Sequence, residues 1–259
     1  MRLAIIALVL NIPLLDRGVT PLHQSDTRRI TGKISRTTGD KLMTETLVPE
    51  TLLTGYRRFM AGRYADQKAI YDRLAEGQRP ATMIIGCADS RVDPATIFAA
   101  DPGKLFIVRN VANLIPPPER DGAHHGTSAA LEFAVTALEV RQIVVMGHGQ
   151  CGGIKAALAA AEGSKPSDFL APWVSLIDRA RDEVLAELGD ADDATKQVAL
   201  EHRSIGHSLE TLMAFDFVAE RVEAGTLSLH GAWFAIKDGA LHWRDPETGE
   251  FATVDPVPR

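Results

Sequence analysis

Three short apolar runs, Ala81–Gly86, Lys104–Val108 and Arg141–Met146, alternate along this chain with stretches of helical periodicity. Runs of that length without polar alternation suit strands buried on both faces. Strands that alternate with helices imply a mainly parallel central β-sheet flanked by helices, so the expected fold class is α/β. Helical patterning covers Leu47–Met60 (Leu52, Leu53, Tyr56, Phe59, Met60) and Asp66–Glu76, which together predict an N-terminal helical arm. It returns over Gly126–Leu138, Gly152–Ala161, Ser167–Leu188 and Asp193–Glu223, the last with Gly206 as a point of breakage. Asp93-Pro94 is a helix start, a capping residue followed by proline. Thr226–Lys237 reads as a strand that turns at Asp238-Gly239 into Ala240–Trp243.

Two of the apolar runs lead directly into the only two cysteines of the chain. One is followed by Cys87-Ala88-Asp89-Ser90-Arg91, the other by Gly147-His148-Gly149-Gln150-Cys151-Gly152-Gly153. Ligands of open α/β sheets bind at the carboxyl edge of the strands, which is where both segments fall. Two thiols and one imidazole are the ligand set of a catalytic rather than a structural zinc, with the fourth position open to solvent. Cys151 stands just before a helix, whose free N–H groups lower a thiol pKa. A water in the fourth position loses its proton near neutral pH. Asp89 is placed to orient that water or, in a closed state, to bind zinc itself. Arg91 is the fork-shaped partner that holds the carboxylate away from the metal.

Total composition narrows the function further. A chain of 259 residues accommodates one large domain with a substantial core. A formal charge of −6 without a basic stripe argues against a nucleic-acid partner. Two cysteines make no disulfide framework. Leu3–Leu15 after Met1-Arg2 has the form of an export signal, but it is too short to span a membrane and is interrupted by Asn11 and Pro13. Asp16–Lys41 is polar and aperiodic, and Met43 opens a more ordinary protein start. Residues 1–46 are therefore read as a disordered extension or targeting segment, and residues 47–259 as the folded domain. No stable membrane insertion is expected. The expected location is cytoplasmic, with export the alternative if residues 1–15 act as a signal. His124 and His125 are read as exposed loop residues, His202 and His207 as surface residues of a charged helix, and Trp233 and Trp243 as core or interface aromatics.

Cys87-Ala88-Asp89-Ser90-Arg91, Arg109-Asn110-Val111-Ala112-Asn113 and His148-Gly149-Gln150-Cys151-Gly152-Gly153, in this order and spacing, resemble the β-class carbonic anhydrases from about Leu52 to about Leu241. The resemblance implies a catalytic domain over 47–259 that reversibly hydrates CO2 to bicarbonate and a proton by zinc-bound hydroxide. It implies zinc ligands Cys87, His148 and Cys151, and a catalytic pair Asp89 and Arg91. The likeness is nearest to the plant-type subgroup. There Gln78 would hydrogen-bond substrate, Phe106, Val111 and Phe133 would line the apolar CO2 pocket, and the Gly152 N–H would contact substrate. Phe133 stands where that subgroup often has tyrosine. A neighbouring subunit completes the pocket in this family, so a homodimer or higher even-numbered homo-oligomer is implied, with Gln78, Phe106 and Phe133 acting on a partner's zinc. A second subgroup closes its site by putting the aspartate on zinc, with bicarbonate held by a tryptophan, an arginine and a tyrosine. Arg109 matches that arginine, but the N-terminal helices have no tryptophan and Phe234 replaces the tyrosine. An open site with Asp89 off the metal is therefore expected.

Three other readings use some of the same residues. A carbonyl sulfide or carbon disulfide hydrolase would have identical ligands. A thiol redox protein pairing Cys87 with Cys151 would leave His148, Asp89 and Arg91 without a role and has no Cys-x-x-Cys. A non-catalytic zinc-binding protein could retain the fold.

Overall fold

The computed structural model describes residues 48–164 and 167–257. The segment 1–46, expected to be an extension or targeting segment, lies outside the described residues. By its contacts the chain divides after Ala61. The first part contains helix α1 (Glu50–Phe59), in which Leu52, Leu53, Tyr56 and Phe59 recur at helical spacing.

Among the described residues, the second part is built on six strands: β1 (Thr82–Cys87), β2 (Leu105–Asn110), β3 (Gln142–His148), β4 (Ser228–Ala235), β5 (Ala240–Arg244) and β6 (Phe251–Thr253). Their order is β2-β1-β3-β4-β5-β6. The pairs β1–β2, β1–β3 and β3–β4 are parallel, and β4–β5 and β5–β6 are antiparallel. The expected parallel sheet is thus present, extended by an antiparallel edge. The short final strand β6 was not anticipated; its three residues follow the Asp245–Gly249 turn, too brief for periodicity to register.

Alternate residues of β1 and β3 serve opposite faces, as the pleat requires. Met83, Ile85, Ile143 and Val145 pack with Leu131, Val135, Ile205, Leu212 and Val218, while Ile84, Val144 and Met146 form a separate cluster with Ala232. Burial on both faces explains why these strands read as unbroken apolar runs.

Helix boundaries differ from expectation in two places. Residues 167–188 form helix Leu170–Val174, a 3₁₀ turn Ser175–Ile177 and helix Asp178–Leu188. The long helix Asp193–Leu212 runs unbroken through Gly206, and the interruption comes instead before helix Asp216–Glu223. Leu200, Ile205 and Leu212 anchor the long helix in the core. Packing along that face outweighs the roughly 1 kcal/mol propensity cost of one glycine. Among the described residues no helix is long and apolar enough to cross a membrane.

Candidate metal centre

Cys87 is the last residue of β1, and the neighbouring parallel strand β3 ends on His148. The chain then turns through Gly149 and Gln150, the latter at φ 57°, so that Cys151 becomes the N-cap of helix Gly152–Ala161. Space at Gly149 is tight: a Cβ would lie 3.1 Å from the Trp233 ring, and the Gly149 N–H donates to the Phe234 carbonyl at 3.0 Å. Strand register therefore places two ligand-bearing residues side by side, and the turn returns the third to them.

The two Sγ atoms are 3.9 Å apart. A disulfide would need about 2.05 Å. Two sulfurs on one tetrahedral zinc, each at about 2.3 Å, stand roughly 3.8 Å apart. The ligand atoms of Cys87, His148 and Cys151 all lie within 4.8 Å of one another, and all three residues are buried. His148 Nδ1 is 2.9 Å from the Gly149 carbonyl, to which it donates as N–H, and the buried Nε2 has no hydrogen-bond partner among the described residues. That leaves the Nε2 lone pair for a metal, in a tautomer fixed by the backbone. The Cys151 thiol beside Cys87, working against burial, draws the Cys87 pKa down, and Cys151 is pushed up by Cys87 and by burial. Zinc takes both sulfurs as thiolates, so a bound dication would displace any proton they hold. The donor set, the spacing and the orphaned nitrogen all fit zinc.

Asp89 and Arg91 form a two-pronged pair, Nε to Oδ1 at 2.9 Å and Nη2 to Oδ2 at 2.7 Å. The Arg91 N–H also donates to Oδ1, and Nη2 reaches the Gln150 carbonyl at 3.2 Å. The guanidinium holds the Asp89 carboxyl far below the ordinary carboxylate range. Asp89 Oδ2 is 3.9 Å from His148 Nε2, so the carboxylate borders the ligand cluster while bonded to Arg91.

The remaining expected site residues fall into two groups. Val111 and Gly152 adjoin the centre: Val111 begins the 3₁₀ turn after β2, and its Cγ1 lies 2.7 Å from where a Cβ on Gly153 would be. Gly152 is the exposed first residue of its helix. Gln78, Phe106 and Phe133 lie elsewhere. Phe106 pairs with Met83, four residues before Cys87, which is about 13 Å along the strand. Its ring is 6.0 Å from that of the half-exposed Phe133. Gln78 precedes β1 and shares a hollow with Arg73, Leu74, Asp101 and Lys104. These three are not brought to this chain's own cysteines.

Two histidine expectations change. His202 is packed, stacked on Phe251 at 4.3 Å and edge-on to Trp233 at 4.9 Å, because the β5–β6 hairpin covers its helix face. His125 is bonded to Asp121 at 2.7 Å rather than free in solvent.

Sequence reasoning missed Glu201. This carboxylate is 2% exposed and accepts hydrogen bonds from the Cys151 N–H at 2.9 Å, Gln197 Nε2 at 3.0 Å and Trp233 Nε1 at 3.1 Å. Its one sequence signal is position: Leu200, Ser204, Ile205 and Ser208 mark the same helix face as buried.

Residues 82–241 match the family model described as carbonic anhydrase. The chain is 38% identical over 185 residues to β carbonic anhydrase 5, chloroplastic, of Arabidopsis thaliana, across 70% of this chain and 61% of that protein. The chain therefore spans somewhat less than two thirds of that relative. Among solved structures, the β-carbonic anhydrase CcaA superposes with a TM-score of 0.75 at 30% identity, covering 80% of this chain and 92% of that one. A structure from the report on two tetrameric β-carbonic anhydrases of Sordaria macrospora gives 0.67 at 27% identity, covering 78% and 98%.

Proposed function

The chain belongs to the β-carbonic anhydrase family, and from that premise we propose that it catalyses the reversible hydration of CO2 to bicarbonate and a proton, with zinc held by Cys87, His148 and Cys151. The observation that carries this reading is the 3.9 Å sulfur spacing beside a buried, unpartnered His148 Nε2. Zinc held there would supply a water whose pKa is lowered to about 7.

The protein's own groups account for the rest of the chemistry. Asp89, kept ionised by Arg91, accepts a hydrogen bond from the attacking water and aims its oxygen at the carbon of CO2. The bidentate grip of Arg91 keeps the carboxylate from occupying the open position itself. Val111 offers apolar surface to a linear, apolar substrate, and the free N–H of Gly152 offers a donor to the bicarbonate oxygen that forms. Gln78, Phe106 and Phe133 serve the centre of a second copy. That assignment is supported by their distance from the cysteines of their own chain and by the position of β2 as the outer strand of the sheet. The working form is thus a homodimer or a larger even-numbered assembly. The folded catalytic domain comprises residues 47–259, and the protein acts in the cytoplasm unless residues 1–15 direct export.

Stopped-flow CO2 hydration by zinc-loaded protein tests the proposal, with Asp89→Asn and Cys151→Ser as controls. Hydration no faster than buffer, in protein shown to contain one zinc per chain, rules the activity out.

A further inference from the structure

The ligands of the metal centre come from two strand ends and a turn. Two charged side chains from other elements grip those segments, and both act on main-chain atoms. Arg109 lies on β2 opposite Gly86. Its Nε donates to the Cys87 carbonyl at 2.9 Å, and its Nη2 donates to the carbonyls of Asp89 at 2.5 Å and Val92 at 3.4 Å. Its Nη1 is 3.7 Å from Asp93 Oδ1. All four contacts fall on one seven-residue stretch. After Ala88, whose N–H to the Asn110 carbonyl is the last ladder bond, this stretch has left the sheet. A planar guanidinium with five donors spans these carbonyls; a lysine ammonium is a point charge and does not.

Glu201 does the same for the other segment. It accepts the Cys151 N–H, while its neighbour one turn back, Gln197, reaches the Cys151 carbonyl at 3.4 Å. The Cys151 N–H is thus held by the Asp193–Leu212 helix, while the Cys151 carbonyl accepts the Lys155 N–H of its own helix at 3.0 Å and takes the longer Gln197 contact in addition. Cys151 is the N-cap of its helix yet makes no side-chain cap bond. Its side chain faces Cys87 instead, and Glu201 receives the cap residue's N–H, as a glutamate at the third helical position would in a capping box.

We infer that Arg109 and Glu201 are positioning residues, each fastening the main chain of one ligand-bearing segment so that the sulfur spacing is set before the metal arrives. Neither touches the metal or substrate. This role differs from the bicarbonate contact that the family resemblance suggests for Arg109, because its Nε and Nη2 donors go to backbone carbonyls and its Nη1 faces Asp93. The inference rests on the proposed Cys87–His148–Cys151 centre.

The test uses full-length zinc-loaded protein mixed with excess 4-(2-pyridylazo)resorcinol, following zinc transfer by absorbance. The visible spectrum of the cobalt-substituted protein is recorded in parallel. Arg109→Ala and Arg109→Lys should release zinc about 10- to 100-fold faster, the range typical of lost outer-shell partners. Millimolar guanidinium should slow release from Arg109→Ala but not from Arg109→Lys. Glu201→Gln keeps an acceptor for the Cys151 N–H and should fall between wild type and Glu201→Met. The cobalt bands should shift in each variant. Variants with unchanged circular dichroism and urea midpoint that release zinc at the wild-type rate, with wild-type cobalt bands, overturn the inference. If Arg109→Ala or Glu201→Met does not fold, Arg109→Lys and Glu201→Gln are judged by the same criteria. Wild-type protein that binds neither metal overturns the proposed centre itself, a result distinct from the other.

Discussion

Gly152 and Gly153 are adjacent in one helix, yet alanine should act on them in opposite directions. A Cβ on Gly152 meets nothing within 4 Å. A Cβ on Gly153 would stand 2.7 Å from Val111 Cγ1 and 2.9 Å from Ala112 Cβ. Neither neighbour yields easily. Valine is stiff at χ1. Ala112 is fixed to a backbone held at φ 62°, followed by Asn113 at φ 51°. Overpacking of this kind costs about 1–3 kcal/mol, against a gain of about 0.5–1 kcal/mol for replacing a helical glycine. Gly153→Ala should therefore lose about 1–2 kcal/mol, or roughly 3–6 °C of melting temperature for a domain of this size. Gly152→Ala should gain a few tenths of a kcal/mol. Thermal and urea unfolding of zinc-loaded protein, at one protein concentration, measure both. The same displacement pushes the Val111–Asn113 turn off the centre, so Gly153→Ala should also hydrate CO2 more slowly. A Gly153→Ala variant as stable as Gly152→Ala would refute the packing argument.

Asp89→Asn removes the acceptor and frees Arg91; CO2 hydration should fall by about 10²- to 10⁴-fold with zinc content unchanged, read by stopped flow and metal analysis. Cys87→Ser should leave well under one zinc per chain after dialysis, because one of only two thiolates is gone. His202 gives a pH signature. Burial, with His242 adding to it, pushes its pKa down to about 4, below the unfolded value of about 6.5. The unfolded chain takes up the proton first, so stability is complete above about pH 6.5 and falls as pH drops toward 4. The partly shielded ring should account for roughly 1–2 kcal/mol of that loss, and His202→Phe should flatten the slope in urea titrations across this range.

The chemistry of this protein was legible in its sequence because the ligand atoms lie close to strong local signals. Apolar runs announce β1 and β3, and the cysteines and histidine sit at their ends. Asp89 and Arg91 lie within four residues of Cys87, so their pairing is a local matter. The Asp93-Pro94 helix start and the turn at Asp238-Gly239 could be read for the same reason, since capping and turn preferences act over a few residues. Gly206 could not be read this way: a breaking signal in the sequence was overridden by the burial of Leu200, Ile205 and Leu212 along one helix face. Only the tertiary structure decided the 3.9 Å between sulfurs 64 residues apart, which depends on the register of β1 against β3. It alone brought Glu201 to a backbone N–H 50 residues distant and turned Arg109 onto three carbonyls 17 to 22 residues away. Residue type and spacing along a chain state which groups are available. Which of them meet is decided by strand pairing and helix packing, and those forces act between segments that the sequence keeps apart.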